Sequence, residues 1–472
     1  MVCAEYAPLA KVGGLGDVTA GLSNWLAERG HQVVVVLPYY GLMAEQGIVP
    51  ASEPVVGPIG AGVTRYAVHR LNGTGADGPH IYLVDAPQAF GRNVYASGDA
   101  EAVRFLVLSR AALELCEAAG FEPEIVHCHD WHASPAAVLL SARRQLSASF
   151  RRSSSVLTIH NIGYQGVFTP AVLAAGGVTA SAADFVDPVA QHVNFLRAGI
   201  LQADALTTVS PTHAREIQTP EYGMGLDDLL RQRRHRLAGI LNGVEYRHWS
   251  PETDGYLEAP YSAADPTGKQ ATRAALIREL GLDAGAGVAI VGLVSRFVEQ
   301  KGIDLIIAAL PALLRERRFV CAFLGNGDAL YVDALAEIAA MFPGRVVHRD
   351  AHDEALAHRI LAGSDIVLVP SRYEPCGLTQ MYAMRYGTVP VVRATGGLAD
   401  TVVHFDPATG QGTGSVFRDA DVGGVSWGLA TALDWYADRT LWRRIMQNGM
   451  VLDFSWDKQG PQYLALYSRL GG

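Results

Sequence analysis

The chain has 472 residues, too many for a single hydrophobic core at roughly 100–200 residues per domain, and two domains are expected of an α/β protein this long. Hydrophobic residues make up 49% and charged residues 18%, a balance that excludes a disordered chain. The net charge of −9 argues against a nucleic-acid partner, which needs a basic stripe to neutralise phosphates.

Cys3, Cys116, Cys128, Cys321 and Cys376 are scattered, odd in number and form no C-x-x-C pair, which fits a reducing compartment without structural zinc. The chain opens with no charged region leading into an apolar one, so no secretory signal is expected. No apolar window reaches the ~18 residues of a membrane span. A cytoplasmic protein with no membrane partner is the expectation, although a plastid protein stripped of its transit segment looks the same.

After a first strand that begins abruptly at Met1 comes Lys11-Val12-Gly13-Gly14-Leu15-Gly16-Asp17-Val18. Glycines at the start of a helix let backbone N–H groups approach an anion, with Lys11 as a point charge at the mouth of the loop. The dinucleotide fingerprint G-x-G-x-x-G fails at Thr19, and the phosphate-loop order with lysine after the glycines is absent. A structural turn carrying a surface lysine is the plain alternative.

Apolar runs at Val33–Leu37 and Ile81–Val84 read as strands buried on both faces. Phe105, Leu108, Ala112 and Leu115 share one helix face, and Gly120 stands just past the end. The strand Ile125–Cys128 runs into His127-Cys128-His129-Asp130-Trp131-His132. Alternation sets His127 and His129 on one face, and Asp130 and His132 are expected in a loop beyond. A sugar-hydroxyl site, a satisfied structural network and a metal site are the readings open here, although the spacing matches no zinc frame. The strand Val156–Ile159 leads into Thr158-Ile159-His160-Asn161-Ile162-Gly163-Tyr164-Gln165-Gly166, a second polar, glycine-rich turn, and Ala205–Val209 follows as another strand. The run Arg231, Arg233, Arg234 and Arg236 reads as a helix end or solvated face.

Between Asn242 and Gly268, Pro251, Pro260 and Pro266 interrupt the pattern, and this stretch reads as a linker between domains of about equal size. The boundaries expected are 1–242, 243–452, and a terminal segment 453–472. The second half repeats the alternation: a helix Thr272–Leu280 stopped by Gly281, then strands Val288–Val294, Phe319–Leu324, Arg345–His348, Asp365–Val369 and Val389–Val392. Such βαβ order implies two Rossmann-like, doubly wound parallel sheets, expected to face each other across a central cleft.

Two further loops carry chemistry. Ser295-Arg296-Phe297-Val298-Glu299-Gln300-Lys301-Gly302 places a planar guanidinium and a point-charge ammonium in one strand-to-helix turn, a clamp suited to a diphosphate; a surface ion pair is the alternative. Pro370-Ser371-Arg372-Tyr373-Glu374-Pro375-Cys376-Gly377-Leu378-Thr379-Gln380 offers an anion cradle, with a carboxylate in Glu374 suited to a sugar hydroxyl or ribose, and Thr395-Gly396-Gly397-Leu398 adds a flexible turn at the same edge. Asp419-Ala420-Asp421 resembles a metal-binding D-x-D but lies in a late polar segment and reads as coincidental.

The order and spacing of Lys11–Val18, the H-x-H-D-W-H cluster, Thr158–Gly166, Ser295–Gly302 and Glu374–Gln380 resemble bacterial glycogen synthases and plant starch synthases over essentially the whole chain. The resemblance implies a B-type glycosyltransferase that moves glucose from ADP-glucose to the non-reducing end of an α-1,4-glucan, retaining configuration and using no metal or other cofactor. It implies that Arg296 and Lys301 hold the diphosphate and that Lys11, with Gly13 and Gly14, contacts the donor. It further implies that Asp130, His132, His160 and Asn161 line the glucose and acceptor side, and that Glu374, Cys376, Gly377, Leu378 and Thr379 surround the donor glucose and phosphates. Asn242 is placed at a hinge. Tyr463, Leu464 and Tyr467 of the final helix are expected to pack back on the first domain, with Gly460-Pro461 interrupting that helix. Gln380, where transferases with small acceptors carry a second glutamate, favours the glucan reading. A non-enzymatic glucan-binding scaffold is the alternative of a different class.

Overall fold

Topology explains why the apolar runs are continuous. In the computed structural model, which describes residues 1–61, 64–72, 78–178 and 182–471, two compact units form: Met1–Gly243 with Trp456–Gly472, and Val244–Ser455. The strands of the first, among the described residues, are β1 (Val34–Pro38), β2 (Val56–Ala61), β3 (Thr64–Arg70), β4 (His80–Asp85), β5 (Ile125–His129), β6 (Ser154–Ile159), β7 (Val167–Phe168), β8 (Val193–Asn194), β9 (Ala205–Thr208) and β10 (Leu237–Gly239). Those of the second are β11 (Ala289–Val294), β12 (Phe319–Leu324), β13 (Val346–Arg349), β14 (Ile366–Val369), β15 (Val389–Arg393) and β16 (Ser415–Phe417).

In the second unit every neighbouring pair is parallel and the order is β13-β12-β11-β14-β15-β16. Numbered within the sheet this is 3-2-1-4-5-6, the order of a dinucleotide-binding sheet, whose direction of winding reverses between β11 and β14. Along β12, Phe319, Cys321 and Phe323 join the core on one face, while Val320, Ala322 and Leu324 join the core on the other. Both faces are covered, so the strand has no polar alternation to show.

The first unit repeats the plan. Val2 bridges Val36 of β1 on one side and Cys128 of β5 on the other, both in parallel, so this one residue holds the central strand position. Outward lie β1 and β4 on one side and β5, β6, β9 and β10 on the other, all parallel, with β2 and β3 added as an antiparallel edge hairpin that the sequence pattern does not reveal. The winding here reverses between Val2 and β5.

Helix Asp99–Ala118 buries Phe105, Leu108, Ala112 and Leu115, and Gly120 takes a left-handed φ of +61° just past its end. The arginine run closes a helix end, as expected of it: Arg233 donates to the carbonyls of Leu201 and Ala203 at the end of helix Phe195–Gln202, and Arg231 pairs with Asp227 and Asp228. Asp421 is a helix cap, accepting from the Gly424 N–H at 2.7 Å, which accounts for the D-x-D resemblance structurally. The stretch after Gly243 is not a loose linker: Trp249 stacks between His358 (3.7 Å) and Tyr382 (4.0 Å), and Tyr261 is buried.

The final helix runs unbroken from Trp456 to Leu470 and packs on the first unit. Gly460 does not interrupt it. A side chain there would collide with the Trp25 ring, so glycine permits close approach of this helix to helix Gly14–Ala27. Tyr463 is buried, Leu464 and Tyr467 lie against the same core, and the Tyr467 hydroxyl meets Nδ1 of His127 at 2.7 Å.

Candidate functional site

In open α/β sheets ligands collect beyond the carboxyl ends of the strands where the winding reverses. In the second unit that point is flanked by the loops after β11 and β14, which carry Arg296, Lys301 and Glu374. A short 3-10 turn, Glu299–Lys301, aims the lysine, and Gly302 follows with φ +67°, where a side chain would overlap the Pro370 carbonyl. Lys301 Nζ lies 2.6 Å from Oε2 of Glu374, and the Ser371 hydroxyl donates to that same oxygen at 2.8 Å. Glu374 is buried and Lys301 half-buried, so the pair is shielded from water and salt. Arg296, on the same loop, is exposed.

Behind this pair the backbone is tightly folded. Arg372 N–H donates to the Gln300 carbonyl at 2.8 Å, tying the two loops together. Gly377 takes φ +72°, and Gln380 closes the turn by donating to the Cys376 and Gly377 carbonyls at 3.1 and 2.7 Å. Gln380 is therefore a loop brace, which is a reason for glutamine at that position that the sequence comparison does not supply. Leu378 and Thr379 then lead into the helix Thr379–Arg385. Gly396 and Gly397 abut the carbonyls of Glu374 and Cys376, where any Cβ would overlap.

The first unit presents its own pair of loops at the reversal point. After Val2 comes Glu5, buried, whose Oε2 accepts from the backbone N–H groups of Val12 at 2.7 Å and Gly13 at 2.8 Å. Tyr95 donates to the other oxygen of Glu5. This buried acid, absent from the sequence reading, moulds the glycine loop; burial pushes its carboxyl up, against the hydrogen bond from Tyr95 and the two N–H donors. Lys11 meets Asp17 at 2.8 Å, and Gly14 begins the helix Gly14–Ala27.

After β5 there is no loop. Asp130 opens the helix Asp130–Arg143 directly, so Asp130 and His132 sit in its first turn rather than in a connection beyond the strand. The turn is made possible by Asp130 adopting φ +59°, a strained value for a residue with a side chain. Its Oδ1 accepts from the N–H groups of His160 (2.7 Å) and Asn161 (3.3 Å), locking the β5 and β6 turns together. Burial raises the Asp130 carboxyl to about 7. His132 is buried among Tyr95, Phe105 and Trp131, with Nδ1 lacking a hydrogen-bond partner.

His127 and His129 stack at 4.2 Å on one face as the alternation requires. His127 accounts for both ring nitrogens structurally, with Tyr467 and Thr158 (2.6 Å). His129 meets His160 at 3.0 Å, and desolvation holds His160 down to about 3, so this pair is neutral, one ring donating and the other accepting. Asn242 is buried at the end of the first unit with Oδ1 lacking a partner. The structure thus joins Lys301 to Glu374, and Asp130 to the turn of His160 and Asn161; it adds Glu5, Ser371 and His129. A buried acid placed between the first strand and a glycine loop is the signal by which Glu5 was open to detection.

The pattern of the family described as the starch synthase catalytic domain matches residues 1–232, and that of glycosyl transferases group 1 matches residues 282–446. A glycogen synthase of Anaeromyxobacter dehalogenans is 45% identical, covering 99% of this chain and 98% of the relative. One of Koribacter versatilis is 41% identical over 98% of this chain and 96% of its own. The catalytic domain of starch synthase IV from Arabidopsis thaliana, solved with ADP and acarbose, superposes with a TM-score of 0.90 at 34% identity, covering 99% of this chain and 98% of that one. A sucrose-phosphate synthase from Thermosynechococcus elongatus, TM-score 0.61 at 18% identity over 98% and 94% of the two chains, shares the fold. The chain belongs to the glycogen synthase and starch synthase family of glycosyltransferases and has their B-type fold of two Rossmann-like units.

Proposed function

We propose that this enzyme transfers glucose from ADP-glucose to the non-reducing end of an α-1,4-glucan, with retention and without a metal, in the cytoplasm. The observation that carries the reading is the Lys301–Glu374 pair at the winding reversal of the second unit. An ammonium has three protons; Glu374 takes one, which leaves two for phosphate oxygens. Arg296, exposed on the same loop, adds a planar fork for the diphosphate. Cations held there stabilise the charge that grows on the departing nucleotide, and this supplies much of the rate.

Glu374 directs a carboxylate at the glucose hydroxyls while anchoring Lys301. In the first unit, Lys11 and the loop of Gly13 and Gly14 serve the donor, and Asp130, His132, His160 and Asn161 serve the glucose and acceptor. Asn242 adds a buried polar atom at the point where the chain leaves that unit. Asp130 spends Oδ1 on two backbone N–H groups, which supports a binding rather than a nucleophilic role. Retention then follows from same-face substitution, in which a phosphate oxygen of the leaving diphosphate takes the proton of the acceptor hydroxyl.

Initial rates with ADP-glucose and UDP-glucose, glycogen as acceptor and a chelator present test the reading. Transfer from ADP-glucose that persists in chelator, with an α-1,4-linked product, is expected. Preference for UDP-glucose or loss of transfer in chelator would overturn the donor or the metal assignment.

A further inference from the structure

The sequence reading expects no metal, yet one cluster in the second unit has the donor set for one. His248, Glu354 and His358 each bring a ring nitrogen or carboxylate oxygen within 4.8 Å of the others. Glu354 and His358 lie four residues apart on the helix Glu354–Gly363, one turn apart on the same face. His248 comes from the irregular segment 244–267, and its Nε2 meets Glu354 Oε1 at 2.9 Å.

The decisive feature is His358. It is wholly buried, its Nδ1 faces Asp254 Oδ2 at 2.7 Å, and its Nε2 has no hydrogen-bond partner. A buried imidazole nitrogen without a partner carries a desolvation cost, and such an atom calls for an explanation. The Asp254 carboxylate places the proton on Nδ1 and leaves a lone pair on Nε2, as the outer carboxylate of a carboxylate–histidine–metal triad does. Trp249 stacked at 3.7 Å and the Tyr386 hydroxyl, also on Asp254, fix the ring and its partner. His248 and Glu354 are both half-exposed, so small rotations bring their donors to the ~2 Å bond lengths of a first-row metal while solvent completes the shell.

We infer that His248, Glu354 and His358 bind one divalent transition-metal ion of the zinc class. Two imidazoles and one carboxylate select that class over magnesium or calcium, which prefer oxygen throughout. The ion would clip the first segment of the second unit to the helix Glu354–Gly363. None of the three residues is among those assigned to donor or acceptor, and the test reads metal binding directly, so it does not depend on the donor assignment.

The test uses the full chain, stripped with chelator and desalted, titrated with Zn²⁺ by calorimetry and with Co²⁺ by visible absorption. Saturable binding of one ion per chain is expected, with a Co²⁺ d–d band of low coordination number and a rise of a few degrees in thermal midpoint under excess Zn²⁺. His248→Ala and Glu354→Gln, both at half-exposed positions, should each weaken binding by about 10-fold or more while keeping the apo thermal midpoint. An absence of one-site binding overturns the inference. So does equal Zn²⁺ binding by the wild type and both variants, which would assign the ion to other surface histidines.

Discussion

Lys301 Nζ and Glu374 Oε2, 73 residues apart in sequence, lie 2.6 Å apart, with Ser371 donating to the same oxygen. The contact joins the loop after the first strand of the second sheet to the loop after the fourth, across the point where the winding reverses. Each charge compensates the other in a place where water reaches neither well, so removing one leaves the other stranded. The two loops therefore behave as one functional part, and a change in either will be felt in both.

Lys301→Ala should lower turnover by about 100-fold or more, as losing one donor to a developing anion does. Glu374→Ala should be comparably damaging, because it removes the proposed sugar contact and releases Lys301. The double variant should be little worse than either single one, with a coupling of about 1–3 kcal/mol in kcat/KM for the donor. Strict additivity would show that the pair does not act as a unit.

Gly397→Ala tests the backbone behind the pair. The new Cβ would overlap the Cys376 carbonyl, and relief requires the loop from Glu374 to Leu378 to move. Donor KM should rise about 10-fold or more while far-ultraviolet circular dichroism stays that of the native fold, since a misplacement near 1 Å is enough to spoil binding geometry. A normal KM would mean that the loop has slack there.

Much of this was legible beforehand because parallel strands buried on both faces announce themselves as apolar runs; Ile366–Val369 and Val389–Arg393 fall within a residue of the expected spans. The chemistry-bearing loops were legible for the same reason, since each follows such a strand. The hairpin of β2 and β3 was not, because a strand such as β3 alternates buried with more exposed residues and so gives no continuous apolar run. Asp130 in a left-handed turn was invisible, for nothing in H-C-H-D-W-H says that the helix starts without a loop. The bond of Tyr95 to Glu5 spans 90 residues and His248 to Glu354 spans 106, separations at which spacing rules are silent.

Lys269 is a buried lysine outside the site. Its ammonium donates to the carbonyls of Ala362 (2.6 Å) and Tyr386 (3.0 Å) and to the Thr388 hydroxyl (2.8 Å), while burial pulls it down to about 7. Three protons match three acceptors, so the charged form is the better fit to its surroundings than burial alone implies. Lys269→Met should remove the ammonium, leave those acceptors dry and lower the stability of the second unit by about 2–4 kcal/mol, read from its urea midpoint. An unchanged midpoint would show that the network contributes nothing net.

The histidines of the first unit set how the protein responds to acid. Burial holds His127, His129 and His132 well below the ordinary imidazole value and brings His160 to about 3. Unfolded, all four bind protons near ~6.5, so between about pH 4 and 6.5 the unfolded chain carries more protons and stability rises with pH. Asp130 works in the opposite sense: raised to about 7 in the fold, it keeps a proton that the unfolded chain releases near ~3.9, so its contribution is full below that value and is lost as pH rises through 7. Four lowered histidines outweigh the raised carboxyls of Asp130, Glu5 and Glu101, and each uncompensated proton is worth about 1.4 kcal/mol per pH unit at most. Acid should therefore unfold this unit from about pH 6 downward, ahead of ordinary carboxylate titration. His160→Gln should flatten the rise of urea midpoint between pH 4.5 and 6.5 by about one proton, and Asp130→Asn should steepen it by about one. Slopes that move together, or not at all, would show that these groups are not held in the protonation states the fold assigns them.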